Sequence, residues 1–252
     1  MRDALHTTVT TVTTEPRGWR RFACVTLLTA LLGGVLAVPA ATADSEGGEE
    51  SIPSARDTAC TTTTGAYQRE VEAHLKLPVD GRQSAADCAA IARFQQRLEF
   101  DPADGLAGLA TYRAVVWERA LAEGDRIKGC PDGDGIVVCV DKNRQILWVE
   151  DAGKVVVKPV PARTGMPGYG TRTGWFEIYM REKEFWSTQF DGPMPFAQFF
   201  SGGQALHASY RAIFEDPGSH GCVNLRYDDA KALWSKLRLG DAVYVWGART
   251  GD

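Results

Sequence analysis

The run Ser219-His220-Gly221-Cys222-Val223-Asn224 places a histidine and a cysteine one glycine apart. A thiol at its reference pKa is only a few per cent thiolate at neutral pH, so nucleophilic work needs a base, or an imidazolium, beside it. The chain has four histidines, of which His207 and His220 lie close to Cys222 in sequence and His6 and His74 do not. His220 is near by local geometry, because residues i and i+2 of an extended segment share a face. His207 ends the apolar approach Gln204-Ala205-Leu206, an expected strand, and reaches Cys222 only across the fold. The residues by themselves leave the choice of base open. Gly221 allows close backbone approach to a substrate, so N–H groups of Gly221 and Cys222 could hold an oxyanion in acyl transfer.

Other chemistry competes for the same residues. His207, His220 and Cys222 with an acid such as Asp216 could bind zinc, although H-x-C lacks the usual paired ligand spacing. A lone cysteine can also be a small buried hydrophobe. Cysteine arithmetic bears on that choice. Of six cysteines, Cys24 lies in an apolar leader, which leaves Cys60, Cys88, Cys130, Cys139 and Cys222. Five is odd, and local pairing of Cys60 with Cys88 and of Cys130 with Cys139 is the economical framework, with a Cys139 to Cys222 bridge as the alternative. On the local pairing Cys222 keeps its thiol.

The leader gives the compartment. Arg17, Arg20 and Arg21 precede an apolar run from Phe22 to Val38, and Ala41-Thr42-Ala43 follows it. Basic region, apolar core and A-x-A site read as a signal peptide over 1–43, with an uncleaved anchor as the alternative. The expectation is a secreted, extracytoplasmic protein with no stable membrane span after cleavage. Residues 44–57 are acidic and rich in Gly and Ser, and read as a disordered linker. A net charge of -4 without a basic block beyond the leader excludes nucleic acid as the expected partner.

Two kinds of periodicity must position Cys222. From 58 to 124 the period is helical: Tyr67, Val71 and Leu75, then Ala89, Ala90, Phe94, Gln95 and Leu98, then Tyr112, Val115, Val116 and Leu121, separated by Asp80-Gly81 and Asp104-Gly105 turns. From 126 to 250 the period is two. The runs 136–140, 145–149 and 154–157 read as consecutive hairpins, 175–180 as a strand, 230–237 as a helix after the cysteine loop, and 242–246 as a closing strand. The fold class expected is α+β: a mostly β catalytic domain with a helix after the Cys loop, plus a small all-α N-terminal module. Phe185-Trp186 and Phe199-Phe200 are candidates for a substrate groove, and Arg226, Tyr169 and Tyr210 for a carboxylate contact.

Two resemblances sharpen these readings. Val79-Asp80-Gly81, Ala92-Arg93-Phe94-Gln95-Gln96, Asp104-Gly105-Leu106 and Thr111 resemble the peptidoglycan-binding-like three-helix domain. His207, followed by Pro217-Gly218-Ser219-His220-Gly221-Cys222-Val223-Asn224, resembles the signature of the L,D-transpeptidase (YkuD) catalytic domain, with Val160 to Gly165, Thr171 to Phe176 and Met194-Pro195-Phe196 in matching order. The resemblance implies Cys222 as nucleophile, His207 as base, the Ala208 carbonyl orienting the ring, and Ser219, His220, Gly221 and Asn224 shaping the loop. It implies acyl transfer between peptidoglycan stem peptides, release of D-alanine, a 3-to-3 cross-link, acylation by carbapenems and no cofactor. Hydrolysis of the same stems by a carboxypeptidase or amidase, and a non-catalytic wall-binding protein, are the alternatives. One departure stands out: Thr171-Arg172 occupies a place where the family often has Thr-Pro.

Overall fold

The computed structural model describes residues 60–249. The expected signal peptide over 1–43, the linker over 44–57, Cys24 and the extreme ends of the 58–124 and 126–250 segments lie outside them.

Among the described residues three helices come first: α1 (Gln68–Leu75), α2 (Ala85–Arg97) and α3 (Leu109–Glu123), with a 3-10 turn at Gly124–Arg126. A capping box starts α2, where Ser84 Oγ accepts from Asp87 N at 3.1 Å and Asp87 Oδ2 accepts from Ser84 N at 2.9 Å. Each Asp-Gly turn is held by a buried side chain of a helix. Gln95, fully buried, accepts from Gly105 N at 2.7 Å and donates to Asp104 Oδ1 and Thr111 Oγ1, so one side chain holds the second turn. Glu72 Oε2 accepts from Gly81 N at 2.9 Å and holds the first. The Cys60–Cys88 disulfide fastens the module's leading segment to α2.

Nine strands follow: β1 (Ile136–Asp141), β2 (Ile146–Asp151), β3 (Lys154–Pro161), β4 (Gly174–Glu177), β5 (Met180–Ser187), β6 (Gly192–Ser201), β7 (Gln204–Ala208), β8 (Val223–Leu225) and β9 (Ala242–Trp246), with α4 (Tyr227–Lys236) between the last two. They form a five-stranded sheet in the order β3-β2-β1-β9-β4 and a four-stranded sheet in the order β5-β6-β7-β8. The near-continuous apolar runs of β1 and β2 have a simple cause. Val138, Val140, Leu147 and Val149 face the core shared with α4 and the second sheet, while Val137, Cys139, Ile146 and Trp148 face Ala120 of α3 and Ile127. A sheet covered on both faces loses polar alternation.

The α+β organisation expected from the sequence is the one observed, with differences in the strands between 175 and 225, where β5, β6 and β8 were not expected. The expected strand 175–180 is broken at Ile178 and Tyr179. Ile178 N donates to Asp241 O beside the first sheet and Tyr179 N to Phe199 O of the second, so the chain changes sheets there, with Ile178 buried at the crossing. The long strand β6 holds Pro193 and Pro195, residues that strands tolerate only where no ladder N–H is needed. Both prolines pair only with β5, since pairing with β7 begins at Gln198. Phe199 and Phe200, candidates for a groove, are core residues instead, because β6 is buried from Ala197 to Ser201. Among the described residues no helix is long and apolar enough to cross a membrane.

Candidate active site

Strand register brings the site together. Strands β7 and β8 run parallel, and His207 is paired with Asn224. On the other side of Asn224 lies Arg163, joined by reciprocal backbone hydrogen bonds of 3.0 Å. Side chains in register on neighbouring strands share a face, so His207, Asn224 and Arg163 form a row. Arg163 Nη2 donates to Asn224 Oδ1 at 3.0 Å, and Asn224 Nδ2 lies 2.8 Å from His207 Nε2. His207 Nδ1 lies 2.7 Å from Ala208 O.

These bonds assign the proton. A carbonyl only accepts, so Nδ1 carries the hydrogen. The guanidinium fixes the Asn224 amide with its oxygen toward Arg163 and its N–H toward the ring, so Nε2 is the acceptor. His207 is therefore held as the tautomer with Nε2 unprotonated, its one lone pair accepting from Asn224, so it can take a proton only when that amide N–H moves off it. Burial drives its pKa down to about 4, assisted by the Arg163 charge and only partly offset by the Ala208 carbonyl.

Cys222 is the one free cysteine among the described residues, and the Cys60–Cys88 and Cys130–Cys139 bridges are formed as expected. Burial raises its thiol pKa, with a backbone bond from Ala205 acting in the opposite sense. The imidazolium considered as a means of raising the thiolate fraction is thus absent in the resting site. Both partners are neutral because the pocket penalises charge on either.

The loop carrying Cys222 is built by small polar groups. Ser219 Oγ donates to Cys222 O at 2.5 Å and accepts from Gly221 N at 3.0 Å. Thr171 Oγ1 donates to Gly221 O and accepts from Gly165 N, both at 2.9 Å. The Gly221 N–H, one of two expected oxyanion donors, is therefore engaged with Ser219, and joins an oxyanion only by leaving that oxygen. His220 and Cys222 line the same cavity of about 160 Å³, but not through strand alternation. Gly221 has a φ of 110°, which bends the chain before β8 begins. The exposed His220 ring stacks on Phe190 and meets Tyr169 edge-on.

Gly221 cannot readily be replaced. A Cβ there would lie 2.4 Å from Gln204 Nε2. Gln204 cannot swing aside cheaply, because Nε2 donates to Gly170 O at 3.1 Å and Oε1 accepts from Arg172 N at 3.0 Å. That last bond explains the departure at Arg172, since proline has no N–H to give. Gly221→Ala is expected to cost about 1–3 kcal/mol of stability from backbone strain and to slow Cys222 acylation about 100-fold through misplacement. Urea unfolding and acylation kinetics on one preparation separate the two effects.

His207 also makes stability depend on pH. Its folded pKa, about 4, lies below the unfolded value of 6.5, so the unfolded chain takes up the proton first as pH falls. The stabilisation is complete above pH 6.5 and is lost toward pH 4, by about 3 kcal/mol. His207→Gln is expected to flatten that part of the stability profile in urea titrations.

The other expected residues scatter. Asp216, considered as a zinc ligand, bonds Arg113 and Arg249 instead. Among the described residues the only close cluster of metal-binding side chains is Cys130, Cys139 and Glu150, whose sulfurs are joined in a disulfide. Arg226 caps α4 by position, with its guanidinium over Trp117 and Phe214. Phe185 and Trp186 line a separate cavity of about 340 Å³ with Tyr210 and Tyr227. Arg163, Thr171, Gln204 and Ser209 escaped the sequence reading. An arginine in the otherwise small and apolar run Pro161-Ala162-Arg163-Thr164-Gly165 was the available signal for the first.

Residues 135–245 match the YkuD family, described as the L,D-transpeptidase catalytic domain. An L,D-transpeptidase from Stackebrandtia nassauensis is similar in structure, at 38% identity and a TM-score of 0.57, covering 77% of this chain and 100% of that one. An L,D-transpeptidase from Xylanimonas cellulosilytica is 26% identical over 62% of this chain and 92% of its own, with a TM-score of 0.43. One from Mycobacterium tuberculosis is 21% identical over 46% and 59%, with a TM-score of 0.42. No match is found among curated proteins.

Proposed function

The chain belongs to the YkuD family of L,D-transpeptidases, and from that premise we propose that it cross-links peptidoglycan stems through an acyl-enzyme on Cys222, outside the cytoplasm. The observation that carries the reading is that His207, with its proton held on Nδ1, lines the same cavity as Cys222.

In the first step the Asn224 N–H leaves His207 Nε2, and the Cys222 proton passes to that nitrogen as the sulfur attacks the carbonyl of the third stem residue, a diamino acid. The Cys222 N–H holds the developing oxyanion, joined by Gly221 N–H if it leaves Ser219. The tetrahedral intermediate collapses, the bond to the terminal D-alanine nitrogen breaks, and His207 returns the proton to that amine. In the second step an acceptor side-chain amine gives a proton to His207 and attacks the thioester, and the regenerated thiolate recovers the proton. Thiol, base and amide donors suffice for both steps. We also read α1–α3 as a wall-binding module, on the support of the Asp-Gly turns that Glu72 and Gln95 hold.

The test is product analysis with disaccharide-tetrapeptide substrates. Transpeptidation gives one D-alanine per dimer, with the new bond between two diamino acids. Tripeptide monomers as the sole product would favour the hydrolytic reading, and no D-alanine release would favour the wall-binding one.

A further inference from the structure

The cavity beside Cys222 carries charge of one sign. Arg163 and Arg211 line it, and among the described residues no aspartate or glutamate does. Ser209 ties the two arginines together, its Oγ accepting from Arg163 Nη2 at 3.1 Å and from Arg211 N at 3.3 Å. Arg163 is buried, and its Nε is enclosed with no hydrogen-bond partner. Its guanidinium is under-compensated: burial, with Arg211 and Arg249 nearby, lowers its pKa to about 10 despite Glu215 and Asp216. Of those acids, Asp216 already serves Arg113 and Arg249. Arg211 is exposed and stands where this cavity meets a larger one of about 550 Å³, since it lines both.

We propose that Arg211, backed by Arg163, forms a carboxylate subsite that recognises the free C-terminal carboxylate of the donor stem. The inference rests on Cys222 being the acylated residue. The carboxylate carbon of the leaving amino acid is two bonds from the scissile nitrogen, so while Cys222 attacks, that carboxylate stays in or at the rim of the same cavity. Two guanidiniums in a cavity that no acid lines are the counter-charge it needs. The subsite selects stems that end one residue beyond the attacked carbonyl, because a longer stem places a neutral amide there.

The test compares two synthetic tetrapeptide donors on the mature protein, one with a free terminal carboxylate and one with a terminal carboxamide, by the rate at which each acylates Cys222 in intact-mass time courses. Intrinsic reactivity favours the carboxamide, whose leaving amine is less basic. Wild type is nevertheless expected to prefer the free acid by roughly 10- to 100-fold, mainly in KM, less so at high salt. Arg211→Gln is expected to bring the ratio within about two-fold, Arg211→Lys to retain most of it, and Arg211→Glu to reverse it. Equal rates for both donors in wild type, or a parallel loss for both in Arg211→Gln, would overturn the subsite. Absence of acylation by either donor would instead remove the cysteine acyl-enzyme reading, and the subsite with it.

Discussion

Cys222→Ala is expected to release no measurable D-alanine from a tetrapeptide stem, a loss of roughly 10⁴-fold or more. The size follows from chemistry the rest of the site cannot replace. Cys222 is the one free cysteine among the described residues, so the alanine variant has no thiol with which to form the acyl-enzyme. The variant is expected to keep its fold. Cys222 lies between the bend at Gly221 and the start of β8, is only partly buried, and its backbone oxygen stays bonded to Ser219. Enzymatic assay of D-alanine, with urea unfolding as the control, measures both statements.

His207→Gln is the second large effect, with an expected fall in acylation rate of about 10²- to 10⁴-fold. Glutamine approximates the size and can still meet Asn224, but it supplies no titratable nitrogen. His220→Ala is the informative comparison, with an expected loss under about ten-fold. Its ring is exposed and packs on Phe190 and Tyr169, whereas the His207 ring is buried and bonded at both nitrogens. Acylation time courses at pH 7 give both numbers, and equal losses in the two variants would remove the distinction between base and wall.

Local patterns were legible where local forces decide. The Ser-His-Gly-Cys-Val-Asn run, the hairpins of β1 to β3 and the amphipathic α4 all follow from neighbours in sequence, and so did the pairing of Cys130 with Cys139. What needed three dimensions was the choice between the histidines. His207 and Asn224 meet because β7 and β8 are parallel neighbours, and no residue near either one encodes that register. Arg163 reaches Asn224 across 61 positions of chain, which hid it as the residue that orients the amide. The imidazolium failed for a similar reason, since its absence follows from burial and burial belongs to the assembled fold. Gly221 was expected to let the backbone approach a substrate; what the fold adds is that Gln204 crowds its Cα and that its N–H points to Ser219, which only the bend reveals.

The most direct test of the central claim is to mix the mature protein with a tetrapeptide donor and no acceptor, quench in acid, and locate the added mass by peptide mapping. The account predicts a tripeptide-acyl increment on Cys222, formed with one equivalent of D-alanine and discharged when an amine acceptor is added. D-alanine release with the increment on another residue, or at an undiminished rate in Cys222→Ala, would contradict it.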